Sequence, residues 1–279
     1  MILESSAAQT GGVGAWLQGI AAILAAVAWP IAISTILLCN HKSVSSILEV
    51  LLTKLSKAKR ISIAKVLEIE EEVTREIESE TARSAESAPK TGLTNDVPEQ
   101  EKAAAVRVQT KLSALSKNSG ATILVVRSQM IAFAREYEIV RDGVAPSPSR
   151  TASMNEIVAK MRTISLAAIP FLISFSRSES AGQRLAAIAI LQMRPRTSYI
   201  GWLVQRMKIE TPFVFFNAAL ALLEMVRKYG DTHPSSLRVE ITRAKKQVES
   251  FTGGEPDRNT IEVLEQALRE LDAIVGNRT

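Results

Sequence analysis

One uncharged apolar run constrains this chain more than anything else in it. Trp16 to Cys39 reads WLQGIAAILAAVAWPIAISTILLC, and from Ala15 to Cys39 nothing ionises at neutral pH except the weakly acidic terminal thiol. A hydrocarbon core about 30 Å thick is crossed by about 20 apolar residues, each rising about 1.5 Å in a helix. The run is longer than that, so it predicts a transmembrane helix over 15–39 with some tilt. Its Leu, Ile and Val side chains each favour insertion by roughly 0.3–0.6 kcal/mol, and their sum outweighs Gln18, Ser34, Thr35 and Pro30. Spans tolerate proline because neighbouring groups re-satisfy the freed carbonyls, so Pro30 predicts a bend near the midplane. Core helices of soluble proteins rarely avoid charge for so long. A cleaved signal peptide needs a basic start and a shorter run, whereas here only Glu4 precedes the run, with no Lys or Arg.

Orientation follows from cations near the span ends. The first 14 residues carry none, while Lys42, Lys54, Lys57, Lys59, Arg60 and Lys65 follow the run. The expected arrangement is a short external tail over 1–14 and a cytoplasmic remainder, in a single-pass protein of the cell (inner) membrane. The single Cys excludes a disulfide framework and suits a reducing compartment.

Residues 40–60 read as a basic amphipathic juxtamembrane helix. Val44, Ile47, Leu48, Leu51 and Leu55 recur at helical spacing, with Lys54 and Lys57 elsewhere. Such a helix either lies in the cytoplasmic interface, where each Lys or Arg near an anionic leaflet contributes about 1 kcal/mol, or continues inward onto a second copy. Residues 61–101 read as an acidic segment and a flexible linker. The EIEEEVTREIESE run reads as a solvated helix, and RSAESAPKTGLTNDVPEQ over 83–100 has no apolar period.

From 102 to 279 the period is helical almost throughout, so the expected fold class is all-α: one transmembrane helix, an amphipathic helix, a linker and a C-terminal α-helical domain. Asn118-Ser119-Gly120 separates the first two helices of that domain, and the GVAPSPS loop ends the second. Thr151 or Ser153 is the expected cap of a third, with Met154, Ile157 or Val158, Met161, Ile164, Ala168 and Leu172 along its stripe and Pro170 kinking or shortening it. Leu237, Ile241, Ala244 and Val248 form a later stripe; Ile261, Leu264, Leu268, Leu271 and Val275 form the last, after a start signalled by Asn259 with Glu262.

Two stretches repeat. Ala186-Ala187-Ile188-Ala189-Ile190 matches Ala218-Ala219-Leu220-Ala221-Leu222 with an offset of 32 residues, and Thr211-Pro212 signals the start of the second copy. Small alanines beside Leu and Ile let two helices approach closely. On these residues and Val214, the stretch 179–228 resembles the HEAT family of helical repeats in its short-period form. That resemblance implies stacked helix pairs presenting an extended binding surface. Phe215 stands where the family usually has a basic residue, and no third copy follows 32 residues on. The span with its basic follower also resembles single-span bacterial membrane proteins of unassigned function.

No Walker loop, G-x-S-x-G, HExxH, CxxC or kinase motif occurs. His41 and His233 lie far apart, so no metal cluster of usual spacing is expected. No catalytic residue, cofactor or metal ligand is singled out, and a non-enzymatic role is expected. Cations from Arg135, Arg141 and Arg150 to Arg227 and Lys228 are spread over many helices, as a solvated surface or as a basic face for an acidic partner. Arg184, Tyr199, Trp202 and Arg206 form the candidate interaction patch. The expected partners are the lipid bilayer and a protein, in an adaptor or scaffold role. The alternative is a nucleic-acid-binding or membrane-perturbing component of a bacterial defence system. Gly19, Ala21-Ala22 and Ala25-Ala26 offer a small-residue face for self-association of the span.

Overall fold

A computed structural model describes residues 67–84, 86, 95–116, 121–252 and 257–276. All are helix or connection, with no strand among them. The expected span over 15–39 and the juxtamembrane helix over 40–60 lie outside the described residues. Among the described residues no single helix is long and apolar enough to cross a membrane. Lys65–Thr279 makes one compact unit. Its helices are α1 (67–84), α2 (Glu99–Ser116), α3 (Ala121–Gly143), α4 (Pro148–Ile164), α5 (Leu172–Ser176), α6 (Ala181–Met193), α7 (Ile200–Ile209), α8 (Pro212–Tyr229), α9 (Pro234–Glu249) and α10 (Arg258–Gly276).

The two repeated stretches are the centre of this unit. In α8 every residue from Val214 to Val226 is buried, and in α6 every residue from Leu185 to Gln192. A helix apolar all round must be enclosed on all sides. The alanines leave room for this, and α6 packs on α8. The contacts run α4 to α6, α6 to α8 and α8 to α10, so these four helices form a row. A second row runs beside it. Arg127 of α3 lies over Phe171, just before α5, at 5.9 Å; Trp202 of α7 donates to the Ser176 carbonyl at the end of α5; and α7 packs on α9. Helices of the second row cover those of the first, α3 against α4 and α6, α5 against α6, α7 against α8, and α9 against α10.

Local chemistry sets the boundaries. Ser147, not Thr151 or Ser153, caps α4: its side chain accepts from Arg150 N at 3.1 Å, and Pro148 takes the first turn, where its missing N–H is no loss. The α-helix stops at Ile164, ahead of Pro170, and the chain resumes through a 3₁₀ turn that takes Pro170 near its start, at a bend of 107°. The expected stripe stays buried across the bend, through Ala168 and Leu172.

The acidic segment departs from the solvated helix its composition suggests. Val73 and Ile77 of α1 are buried in the core, and Val97 joins them. Glu80 is 1 % exposed and bonded to Arg107 Nε at 2.8 Å, with Arg83 at 2.7 Å. The first turn of α2 is held in turn, because Lys102 Nζ reaches Glu224 of α8 at 2.9 Å and Asp96 pairs with Arg227 at 2.5 Å.

These pairs predict an acid limb in stability. The hydrogen bond from Arg107, helped by the nearby charges of Arg83 and Lys111, holds the Glu80 carboxyl below its ordinary value of 4.5 against the opposing effect of burial. Arg227 does the same for Glu270. A carboxyl depressed in the folded state stabilises fully above its unfolded value, and the contribution is lost as pH falls through the folded value. The melting temperature is therefore expected to fall on acidification below about 4.5. Thermal melts from pH 7 to pH 3 check this, and Glu80→Gln should flatten part of the decline.

Candidate functional site

The four residues singled out in the sequence come together, around a fifth. Glu210, the C-cap of α7, is buried and takes both arginines. Arg184, in the first turn of α6, donates Nε and Nη2 to the two Glu210 oxygens, the second at 3.0 Å. Arg206 Nη1 donates to Glu210 Oε1 at 3.2 Å from one turn earlier on α7. Arg184 Nη1 also donates to the carbonyls of Ser178 and Glu179, at 3.0 and 2.6 Å. The Arg206 guanidinium lies 4.9 Å from the centre of the Trp202 ring, a cation–π distance, and Tyr199 meets that ring edge-on at 6.1 Å.

This cluster is a clasp between α6 and α7, in which only part of each aromatic ring faces out. The side chains of Arg184 and Arg206 are 16 % and 8 % exposed. Burial pushes the Arg206 guanidinium below its usual value, Glu210 opposes this, and the like charge of Arg184 adds to it. Truncating the shared anion leaves two cations facing each other. Glu210→Ala is expected to cost about 2–3 kcal/mol, read as a lowered melting temperature. Added salt should recover part of that loss.

A second polar cluster crosses the first row of helices. Arg162 of α4 is 7 % exposed and donates in three directions. Nε goes to Gln192 Oε1 of α6 at 2.6 Å, Nη1 to Glu101 Oε2 of α2 at 2.9 Å, and Nη2 to Asn217 Oδ1 of α8 at 3.2 Å. Gln192 Nε2 continues to the Asn217 carbonyl at 2.8 Å, and Asn217 Nδ2 to the Phe213 carbonyl at 2.9 Å. Four helices are joined through one guanidinium. Sequence reasoning singled out none of Glu101, Gln192, Asn217 or Glu210, and it placed Arg162 only among the cations spread over many helices, whereas its side chain is buried. The available signal was a polar residue inside an apolar run, as in AAIAILQM for Gln192 and FVFFNAAL for Asn217.

Among the described residues no group of three or more His, Cys, Asp or Glu side chains is disposed to hold a metal ion. His233 is exposed, bonded through Nδ1 to the Thr232 hydroxyl and edge-on to Tyr229. Cys39 and His41 lie outside the described residues. No protein family, curated protein or solved structure matches the chain.

Proposed function

We propose that the chain is a single-span membrane protein whose cytoplasmic helical unit is a non-catalytic adaptor for a protein partner. In this reading the 15–39 run is the anchor, the cations after it keep the rest of the chain inside, and the helical unit is a short HEAT-like stack. The stack is supported by the two rows of paired helices built around the repeated α6 and α8 stretches.

One observation carries the adaptor role. Leu124 and Ile139 of α3, Ile173 of α5, Ile209 of α7 and Val239 of α9 are each more than half exposed. All lie on the second row, and α4, α6, α8 and α10 carry no exposed large apolar side chain among the described residues. A row of helices with apolar side chains turned outward on each is suited to a partner helix or an extended segment. A nucleic-acid role is less well supported, because Arg162, Arg184, Arg206 and Arg227 are bonded to carboxylates of the same chain.

The test is crosslinking of the full chain in native membranes, with captured proteins identified by mass spectrometry. Wild type is compared with Ile139→Asp and Ile173→Asp. The expected result is a partner captured by wild type and lost from both variants while the melting temperature is kept. Identical captures from all three would overturn the adaptor surface. Release of the intact protein by alkaline carbonate would overturn the anchor.

A further inference from the structure

We infer that the exposed second row docks the acidic helix α1 of a second copy of this chain. The inference rests on the reading of that row as a docking surface and names its occupant. Charges left over after pairing within the unit are sorted onto two surfaces. Among the described residues, the exposed carboxylates with neither an ion pair nor a hydrogen bond are Glu68, Glu72, Glu78, Glu86 and Glu179. The first three lie on α1 and Glu86 just after it. The second row carries the opposite sign. Arg127 and Arg135 of α3, Arg177 just after α5, Lys208 of α7 and Lys246 of α9 are exposed and make no ion pair. Glu179 is the free acid beside them, while Asp142 and Glu249 are held by Arg141 and Lys245. Cations without a carboxylate also stand at Arg194 and Lys228, at the ends of α6 and α8, but those helices expose no large apolar side chain.

The two surfaces match in more than charge. Helical spacing puts Leu67, Glu68, Glu72 and Glu78 on the face of α1 opposite the buried Val73 and Ile77. Leu67 is 58 % exposed among these acids, as Leu124, Ile139, Ile173 and Ile209 are exposed among the cations. Glu68 and Glu72 stand one turn apart, a like-charge pair that destabilises a helix on its own and that a cationic counter-surface offsets. Length fits as well. At about 1.5 Å per residue α1 is about 27 Å long. The four helices of the row, side by side, take three steps of about 8–10 Å. Laid across them, α1 reaches cations on all four. The exposed large apolar side chains are all Leu, Ile or Val. A face built for a leaflet carries aromatic anchors, and a nucleic-acid backbone gains little from aliphatic side chains. Because α1 and the row are different surfaces of one unit, the contact is head to tail, and copies join into chains instead of closed pairs. Exposed ion pairs are individually weak. Copies anchored in one membrane meet at raised effective concentration, so a weak contact suffices for a scaffold.

The experiment is sedimentation analysis of the full chain in detergent micelles at low and high salt. Wild type should self-associate at low salt and dissociate as salt rises. Two variants reverse charges at exposed sites, Glu68→Lys with Glu72→Lys, and Arg135→Glu with Lys208→Glu. Each should keep the wild-type melting temperature and self-associate about tenfold more weakly. An equal mixture of the two should recover wild-type association, because each reversed surface then meets its complement. A readout that needs no variant is zero-length carbodiimide crosslinking of mixed light and isotope-labelled wild type. It should join α1 carboxylates of one copy to Lys208 or Lys246 of another. Self-association unchanged in both variants would assign the contact to another surface, such as the span, and overturn the inference. So would a mixture that shows no recovery. Crosslinks from the row only to a different protein or to anionic lipid in native membranes would give it another occupant. The different protein would overturn this inference and leave the adaptor reading standing; the lipid would overturn both.

Discussion

Replacing Arg162 with Ala should be the most damaging single change in the helical unit, costing about 3–5 kcal/mol. The side chain is 7 % exposed and joins α4 to Glu101, Gln192 and Asn217. Its removal strands the Glu101 carboxylate and takes a donor from two buried amide oxygens. Leaving a buried charge uncompensated is far more costly than never having built the pair. For a unit of this size the melting temperature should drop by about 10 °C or more, measured by far-UV circular dichroism of the full chain in detergent. A compensating variant separates loss of pairing from loss of volume. Arg162→Met with Glu101→Gln should recover a large part of the deficit, because the orphaned charge goes with the cation. No recovery would mean that packing around Arg162, not its charge, carries the effect.

Gly182→Ala is the second large effect, about 3 kcal/mol, at the upper end for overpacking. A Cβ at position 182 would stand 2.0 Å from the Ala134 carbonyl oxygen and 2.7 Å from its carbon. Both are backbone atoms of α3, so no side chain can turn aside to make room. The start of α6 must move away from α3. That also stretches the bonds which Glu138 Oε1 accepts from Gly182 N at 3.0 Å and from the Ser180 hydroxyl at 2.8 Å. Gly201→Ala serves as the control. It is a helical glycine whose added Cβ meets nothing within 4 Å, so it should be neutral or slightly stabilising. Comparable melting temperatures for the two variants would refute the close-approach account.

The central helices were legible from residue order alone, because continuous burial demands continuous apolarity. The Ala186–Ile190 and Ala218–Leu222 stretches permit little else. Stripes such as Leu237, Ile241, Ala244 and Val248 were equally plain, and all four are buried. The acidic segment was not legible in this way. Only Val73 and Ile77 of α1 are apolar and buried among many carboxylates, and what turns Glu80 into a core residue is Arg107, on a different helix. Periodicity within one segment carries no record of a partner on another. The same limit explains the candidate patch. Arg184, Trp202 and Arg206 stood out as cations and an aromatic available to a partner, whereas Glu210, which engages both arginines, looked like one acid among many. The 107° bend at Pro170 lies between these extremes, since a break was expected but its direction depends on what α5 packs against.

Stacked helix pairs ordinarily behave as a one-dimensional array, able to fray from either end while the middle survives. Here the chain just before and within the first turn of α2 grips distant partners. Asp96 holds Arg227, Lys102 holds Glu224, and Glu101 holds Arg162. An early part of the unit is thereby laced to its late helices, as a belt closes a row of staves. Loosening α8 would release the belt, and losing the belt would expose α4 and α8 together. The unit should therefore melt in one sharp, cooperative transition instead of unzipping pair by pair.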